Sequence, residues 1–583
     1  MIALQLRAQA LPLTLLLVLG ACSRPAAVAP PAMPPPREPW PQFAARFLEE
    51  YFKVDPRFAV EAGRHEFDGQ MPDWSAAGLA ERGALLKKLR AQAAVFDASR
   101  LSAAERFERE HLYTAIDSDL FWLEEARAPF RNPTWYTDRI DPDVYLNRNY
   151  APLATRLQGY IGYARAIPRV AAAMRANLQT PLPQSLIERG IDACGGFASF
   201  YRHDVAAIFA RVADPAAQQE LAAADEAAAA AMEQLKSWLV SERAHATQDF
   251  ALGEAVFLRM LHATERVDVP IEQLLQIGNA DLERNTAALR QTCAAYLPHG
   301  TLAGCVARMQ ARKPAGGAVA GARVQLQSLR EFVLSRQILS VSPDAQALVA
   351  EAPPYARGNA AYINVAGPYD HGVQSVYNIA PPDPRWSAKE RAAYIPGQAS
   401  LLYTSVHEVW PGHFVQFLHS NANPSKIDAL WPGYAYAEGW AHYSEEMMWE
   451  EGLGAGDPEQ HVGQLTNALL RDVRFLSALG LHTRGMSLTQ SEQLFRTRAF
   501  SDPGNARQQA ARGTYDPGYL AYTLGKLMIR KLRADWIARQ PGAASAPDPK
   551  VYWHDFHDRM MQHTGPIPLI AGELLGPGER ALF

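Results

Sequence analysis

The chain reads His407-Glu408-Val409-Trp410-Pro411-Gly412-His413 in its C-terminal half. Two histidines that stand four apart on a helix can face one metal ion, but these stand six apart, which rotates the second by about 240° on an ideal helix. Pro411 removes a helical N–H, and Gly412 tolerates backbone angles that other residues avoid. The stretch therefore predicts a helix that is interrupted at Pro411 and Gly412, so that His407 and His413 converge.

A second motif, Glu438-Gly-Trp-Ala, follows the histidines on predicted helix. A metal-dependent hydrolase needs imidazole or carboxylate ligands, an open position for water, and a carboxylate that takes a proton from that water. We expect His407, His413 and Glu438 to be the metal ligands. Glu408 directly follows a ligand and can lie beside the ion without binding it, so we expect it to be the general base.

The second motif also supplies residues that could orient a ligand. His442 and Glu445 share one helical face with Glu438, so either could hold a ligand histidine by its second ring nitrogen. If His413 pointed away from His407, His442 or Glu445 would be the next candidate ligand. Taken alone, the histidine stretch could be an ordinary helix-breaking turn. The two motifs together favour the metal site.

Length and composition indicate a large folded protein. The chain has 583 residues, of which 48% are hydrophobic and 20% charged, and its formal net charge is −4. Such a chain can bury a sizeable core and form either several domains or one body with two lobes. The slightly acidic balance gives no indication of a nucleic-acid partner.

The N-terminus resembles a bacterial lipoprotein signal. Arg7 precedes an apolar run over residues 11–19, and Leu-Gly-Ala-Cys ends at Cys22. The run is too short to span a bilayer permanently. We expect residues 1–21 to be a signal peptide and Cys22 to be the lipid-modified first residue of the mature protein; an ordinary cleaved signal peptide is the alternative. Ser23, in place of aspartate, implies the periplasmic face of the outer membrane.

The rest of the chain is predicted to be mainly helical. Residues 22–42 are rich in proline and alanine, which favours an extended tether. A helical metallohydrolase domain is predicted over residues 43–583, with a loop or lobe connection near 313–322. β-branched and aromatic residues over 361–366 and 373–379 predict two strands. They could present an edge to a substrate backbone or form a small structural hairpin.

Three cysteines remain after Cys22. The segment between Cys293 and Cys305 contains proline and glycine and could turn back on itself, so a disulfide between them is expected in an oxidising compartment. Cys194 is then an unpaired, buried small residue. The spacings include no C-x-x-C, which argues against thiolate metal binding.

A third segment carries candidates for substrate contact. Tyr515, Tyr519 and Tyr522 recur at spacings of four and three, which would place them along one helical face. A tyrosine hydroxyl can donate to the oxyanion of a carbonyl under attack, and we expect Tyr522 to do so. An aromatic core stripe is the alternative. Further candidates for substrate binding are His371, Arg471, Arg474 and His482.

His-Glu-x-x-Pro-Gly-His-x-x-Gln, which ends at Gln416, and Glu-Gly-Trp-Ala-x-Tyr-x-Glu together resemble the domain-of-unknown-function 885 family of bacterial proteins. That family resembles helical gluzincin peptidases of the thimet oligopeptidase and carboxypeptidase Taq types. The resemblance implies a mainly α, large two-lobed gluzincin-like fold with a small β-sheet near the active site. It also implies one zinc ion, held by His407, His413 and Glu438. The inserted Pro-Gly departs from those peptidases.

The sequence therefore predicts a lipid-anchored zinc hydrolase of the cell envelope that cleaves short peptides, with Glu408 as the base. One alternative keeps the metal and changes the bond to a non-peptide amide or ester. Another is an inactive, peptidase-like lipoprotein that binds peptides or envelope partners. A His/His/Glu set also accepts manganese or iron. We expect membrane contact through the lipid anchor only, and the oligomeric state is left open.

Overall fold

A computed structural model describes residues 38–357, 359–576, 582 and 583. The predicted signal peptide, the lipidation site Cys22 and most of the predicted tether lie outside these residues. The first helix begins at Trp40, so residues 40–42 are helical and do not belong to a tether. The predicted fold class is confirmed: the described chain is mainly α-helical, with a small three-stranded mixed sheet.

The helices before the sheet are α1 (Trp40–Val54), α2 (Pro56–Glu61), α3 (Ala76–Ala93), α4 (Ala103–Leu120), α5 (Ala128–Arg131), α6 (Thr134–Thr137), α7 (Asp143–Leu146), α8 (Leu153–Asn177), α9 (Gln184–His203), α10 (Val205–Phe209), α11 (Pro215–Glu242), α12 (Glu254–Glu265), α13 (Ile271–Tyr296), α14 (Leu302–Ala311) and α15 (Ala318–Arg336).

The helices after the sheet are α16 (Ala388–Tyr394), α17 (Gln398–Glu408), α18 (His413–Ala422), α19 (Lys426–Leu430), α20 (Tyr434–Glu450), α21 (Pro458–Thr483), α22 (Leu488–Arg498), α23 (Pro503–Tyr515), α24 (Ala521–Ala538), α25 (Trp553–Met560) and α26 (Ile567–Leu575).

Helix α11 shows why the N-terminal half is helical. Pro215 occupies its first turn, where no intrahelical N–H bond is lost, and the Asp214 carboxylate accepts hydrogen bonds from the N–H groups of Ala216 and Ala217. The alanine-rich stretch that follows has high helix propensity. Its small residues pack closely against α8 and α9, and Ala228 is fully buried there.

The sheet contains β1 (Ala347–Glu351), β2 (Ala361–Asn364) and β3 (Ser375–Ile379), in the order β1-β3-β2. β3 pairs with β1 in parallel and with β2 in antiparallel orientation. The two predicted strands are therefore β2 and β3, joined by a third strand that was not predicted. Because β2 lies at one edge, its outer N–H and C=O groups do not pair within the sheet.

Two large hydrophobic cores organise the described chain. One contains buried residues of α8, α9 and α11, and the other surrounds α17, α20, α21 and α24. The turn between α14 and α15 lies in the region predicted as a lobe connection, yet Met309 of α14 and Leu326 of α15 belong to the same core. That turn therefore does not separate two cores. A disulfide joins Cys293 of α13 to Cys305 of α14, and Cys194 is buried and unpaired.

A close helix crossing at two glycines sets the geometry of the C-terminal core. A Cβ atom on Gly439 of α20 would lie 2.4 Å from the Cα of Gly525 on α24, and one on Gly525 would lie 1.8 Å from the Ala435 carbonyl oxygen. Neither position can carry a larger side chain without moving a backbone. This contact brings Glu438 on α20 and Tyr522 on α24 to the same cleft.

Candidate metal centre

The helix carrying the first histidine stops directly after Glu408. Helix α17 ends there, and α18 begins at His413, with four non-helical residues between them. Gly412 is enclosed by the preceding turn: a Cβ atom there would lie 1.7 Å from the carbonyl oxygen of His407. Only glycine fits this contact, so the local sequence dictates the interruption.

The interruption brings His407 and His413 together with Glu438. The Nε2 atoms of both histidines lie 3.3 Å from Oε2 of Glu438, and the two imidazole planes are nearly perpendicular at 87°. Nitrogen and oxygen ligands at about 2.0–2.1 Å from a tetrahedral zinc ion lie roughly 3.3 Å from one another. The donor set and its spacing therefore fit one zinc ion, and these three residues form a potential metal site.

Glu445 fixes the orientation of His407. The Nδ1 atom of His407 lies 2.8 Å from Oε1 of Glu445, and the Arg471 guanidinium lies 3.1 Å from the same oxygen. Burial would raise the pKa of Glu445, but the charge of Arg471 and the hydrogen bond from His407 outweigh it and hold the pKa well below its usual range. With Nδ1 donating to this carboxylate, Nε2 is left as the nitrogen that could bind a metal ion.

His442 takes a different position from the one expected for an orienting residue. Its Nδ1 atom lies 3.7 Å from Glu445, so it packs behind that carboxylate and does not contact either candidate ligand histidine by hydrogen bond. Burial lowers the pKa of His442 to about 4, and the nearby charge of Lys526 contributes to this. Of the two predicted orienting residues, Glu445 is therefore the one that holds His407.

Glu408 lies beside the three candidate ligands without belonging to them. It is the last residue of α17, it is 7% exposed, and its carboxylate lines the cleft. Burial raises its pKa, while the neighbouring charges of His407 and His413 act in the opposite direction. Within the described residues it forms no ion pair, so this carboxylate can accept a proton from a molecule in the cleft.

Tyr522 lies against the ring of His407. Its ring stacks on the His407 imidazole with 5.9 Å between centroids, and its hydroxyl oxygen accepts a hydrogen bond of 3.2 Å from Arg512. Because the oxygen already accepts from Arg512, the hydroxyl proton is directed to another acceptor. Tyr522 thus has a donor available at the cleft.

The cleft is a cavity of about 390 Å³ between these helices and the sheet. The edge strand β2 contributes to its wall with residues 361–363. The predicted candidates Arg471 and Arg474 also line it. Gln509 and Arg512 line the cleft as well.

Four predicted substrate-binding residues do not line this cavity. His482 has a structural role, since Nε2 donates to the Gly513 carbonyl at 2.7 Å and Nδ1 accepts from the Leu252 N–H at 3.2 Å. The other three are placed as follows: His371 is exposed, Tyr515 lies beside Arg189 at 5.7 Å, and Tyr519 is buried with its hydroxyl against Gly513.

The three tyrosines do not share a helix. Tyr515 is the last residue of α23, Tyr519 lies in a 3₁₀ turn over Pro517–Leu520, and Tyr522 lies in α24. The turn changes the rotation per residue, so the spacing of four and three does not place them along one face. Only Tyr522 reaches the cleft.

Arg512 is a cleft residue that sequence reasoning missed. It donates to Asp516, Tyr434 and Tyr522, and so connects α23 to α20 and α24. The sequence contained a signal for it, because Arg512 stands three residues before Tyr515, the first of the three tyrosines. One helical turn links it to Asp516.

Comparison with known proteins supports the fold and leaves the activity open. The model of a family described as bacterial proteins of unknown function, DUF885, matches residues 56–571. None of the curated proteins matches this chain. A carboxypeptidase from Pyrococcus furiosus superposes with a TM-score of 0.36 and 12% identity over 93% of this chain and 96% of its own, which is too weak to support a conclusion.

Two solved structures share the fold. A protein from Shewanella oneidensis, described as a candidate lipoprotein of unknown function, superposes with a TM-score of 0.73 and 22% identity, covering 92% of this chain and 100% of its own. A candidate lipoprotein from Colwellia psychrerythraea gives 0.75 and 18%, covering 92% and 98%. Since the family model spans most of the sequence, the chain belongs to the DUF885 family of bacterial proteins of unknown function.

Proposed function

We propose that the protein is a zinc-dependent hydrolase, and that it acts as a peptidase on short peptides. The observation that carries the proposal is the convergence of His407, His413 and Glu438 beside the carboxylate of Glu408, which forms no ion pair with any residue that the structure describes. Zinc bound by three protein ligands supplies Lewis acidity to a water molecule and to a substrate carbonyl. The donor set and the 3.3 Å spacing support this choice of metal.

Glu408 carries the proton transfers in this proposal. Its carboxylate accepts a proton from the attacking water and passes it to the leaving amine. Burial favours its protonated form between these steps. Tyr522 donates its hydroxyl proton in a hydrogen bond to the carbonyl oxygen as negative charge develops there, while Arg512 fixes the tyrosine oxygen.

The edge strand supports a peptide as the substrate. β2 lines the cleft with residues 361–363, and an extended peptide can add to such an edge through main-chain hydrogen bonds. The cavity of about 390 Å³ favours short peptides over folded proteins. Hydrolysis of a non-peptide amide or ester would leave the β2 edge without a role.

For the location, we propose a lipid-anchored protein on the periplasmic face of the outer membrane. The sequence Leu-Gly-Ala-Cys22 and the description of both structural relatives as candidate lipoproteins support this. In the part of the chain that the structure describes, no helix has the length and apolar character needed to cross a bilayer. Labelling of cells with a radioactive fatty acid, with Cys22→Ala as the comparison, tests the anchor.

Hydrolysis is tested by digesting a synthetic peptide library with the zinc-loaded protein and identifying products by mass spectrometry. We expect cleavage by the wild type, loss of at least about 10³-fold in Glu408→Gln, and unchanged zinc content in that variant. Glu450→Gln is the matched control, because Glu450 is a partly buried glutamate at the end of α20 that does not line the cleft. Equal cleavage by wild type and Glu408→Gln would exclude the assigned base.

A further inference from the structure

The cleft contains three buried or partly buried arginines, and their partners differ. Arg471 pairs with Glu445 at 3.1 Å, and Arg512 pairs with Asp516 at 2.9 Å. Arg474 donates from Nε to the amide oxygen of Gln509 at 2.8 Å, and among the described residues it forms no ion pair. One of the three guanidinium groups therefore faces the cleft without a carboxylate partner.

The burial of Arg474 makes its lack of a carboxylate partner energetically unfavourable. Arg474 is only 8% exposed, and a buried charge without a partner is strongly unfavourable. Arg156, which is buried elsewhere, has no carboxylate either, but its guanidinium donates to three backbone carbonyl oxygens and to Asn149. Burial lowers the pKa of Arg474, and the charges of Arg512 and Arg471 lower it further, although Tyr522 and the Glu438 carboxylate oppose this. Within the described residues, the terminal nitrogens of Arg474 thus have no hydrogen-bond acceptor of the kind that surrounds Arg156.

The position of Arg474 relative to the candidate metal centre limits what it can bind. Its guanidinium carbon lies 4.6 Å from the ring centroid of Tyr522, and the same ring stacks on the His407 imidazole with 5.9 Å between centroids. At roughly 3.3–3.6 Å per residue of extended chain, a group bound to Arg474 is no more than about three residues from a carbonyl at the metal. A planar guanidinium binds a carboxylate through two parallel hydrogen bonds.

We infer that Arg474 binds the C-terminal carboxylate of the substrate, so that the protein removes one to about three residues from the C-terminus of a peptide. This inference rests on the proposed hydrolase function for its reaction, and on the unpaired guanidinium for its specificity. A carboxylate on an aspartate or glutamate side chain has the same chemistry, and the test separates the two sources.

The test measures binding first, with hydrolysis scored separately. Zinc-loaded Glu408→Gln protein is dialysed to equilibrium against N-acetylated tetrapeptides of mixed sequence, each present as free acid and as C-terminal amide. Mass spectrometry gives the retained fractions. We expect free acids to bind about ten- to a hundredfold more tightly than amides, and this preference to disappear when Arg474→Gln is added. Arg474→Lys should restore part of it.

Arg533→Gln is the matched control, because Arg533 also lies over an aromatic ring, 3.8 Å from Trp553, but does not line the cleft. It should leave the preference intact. Equal binding of acids and amides, retention of neither form, or retention that follows acidic side chains in amidated peptides would each overturn the inference. The comparison of acids with amides needs no Arg474 variant, so it stands even if Arg474→Gln fails to fold.

Digestion by the wild-type protein distinguishes the two proposals. Cleavage of free acids and amides alike, at internal bonds, would support the hydrolase function and contradict the proposed role of Arg474. A clear binding preference for free acids without any cleavage would support carboxylate binding by Arg474 and contradict the hydrolase function. Cleavage confined to free acids, within about three residues of the C-terminus, supports both.

Discussion

At the scale of single residues, the hydrogen bonds of the candidate centre determine which atom of each side chain remains available for binding. His407 donates from Nδ1 to Glu445, which leaves Nε2 to meet His413 and Glu438. Tyr522 accepts from Arg512, which leaves its proton available to a substrate. Each of these roles can be tested by removing one atom or one charge.

Glu445→Gln should weaken zinc binding by about 10–100-fold, because the amide no longer provides the charged acceptor that orients His407. The zinc dissociation constant, measured by competition with a chelator, gives the result. Glu446→Gln is the neighbouring control, since Glu446 pairs with Arg284 and Arg530 away from the histidines. Equal zinc affinity in Glu445→Gln and wild type would remove Glu445 from this role.

Tyr522→Phe should lower kcat by about 10²–10³-fold while zinc content is unchanged, because it removes one donor to the oxyanion and keeps the ring that stacks on His407. Steady-state kinetics on a cleaved library peptide measure this. Tyr519→Phe is the control, since Tyr519 is buried away from the cleft. A kcat within twofold of wild type would assign the oxyanion contact to another group.

At the scale of secondary structure elements, the break between α17 and α18 is the feature on which the site depends. Gly412→Ala should destabilise the fold by about 3 kcal/mol or more and abolish zinc binding, because its Cβ would overlap the His407 carbonyl oxygen. Chemical denaturation and zinc analysis measure the two effects. Gly572→Ala on α26 is the control, as a Cβ there meets no atom within 4 Å. Normal zinc binding by Gly412→Ala would show that the break does not set the geometry.

The sequence predicted this break because the cause is local. A helix cannot hold two ligands six residues apart, and Pro-Gly is the sequence that interrupts it. The prediction that the three tyrosines share one helical face was wrong for a related reason. The 3₁₀ turn that begins at Pro517 changes the rotation between Tyr515 and Tyr522. Strand β1 was missed because Val349 is the one β-branched or aromatic residue in Ala-Leu-Val-Ala-Glu, and its pairing with β3 is decided by residues distant in sequence.

Other positions depend on packing that no local pattern encodes. Arg471, Arg474 and His482 all lie on α21, which is buried on nearly every face, so helical periodicity does not show which face meets the cleft. Arg474 reaches the cavity, whereas His482 is held by two backbone groups. The close crossing of Gly439 and Gly525, which brings Glu438 to Tyr522, likewise requires tertiary structure.

At the scale of the whole molecule, stability should depend on pH through carboxyl groups buried in the cores. Burial raises the pKa of Asp225 from 3.8 to about 7, although the hydrogen bond from Tyr160 opposes this. The folded state holds the proton more tightly than the unfolded state, so the group stabilises least at high pH. Its contribution is fully favourable below about pH 4 and is lost as the pH rises to about 7, at about 1.4 kcal/mol per pH unit.

Asp225→Asn should therefore raise the melting temperature relative to wild type more at pH 8 than at pH 5, because the amide accepts from Tyr160 and never ionises. Thermal unfolding followed by circular dichroism at both pH values measures the difference. Asp214→Asn, at the exposed start of the same helix, is the control and should show little dependence on pH in this range. An equal difference at pH 5 and pH 8 for Asp225→Asn would contradict the assignment.

The central claim is that His407, His413 and Glu438 bind one metal ion across the helix break. Zinc content per chain after equilibration with zinc and removal of excess, measured by inductively coupled plasma mass spectrometry, tests it most directly. The wild type and His371→Ala should each retain close to one zinc ion per chain, because His371 is exposed and does not line the cleft, while His413→Ala should retain almost none. Equal zinc content in folded His413→Ala and wild type, or none in the wild type, would contradict it.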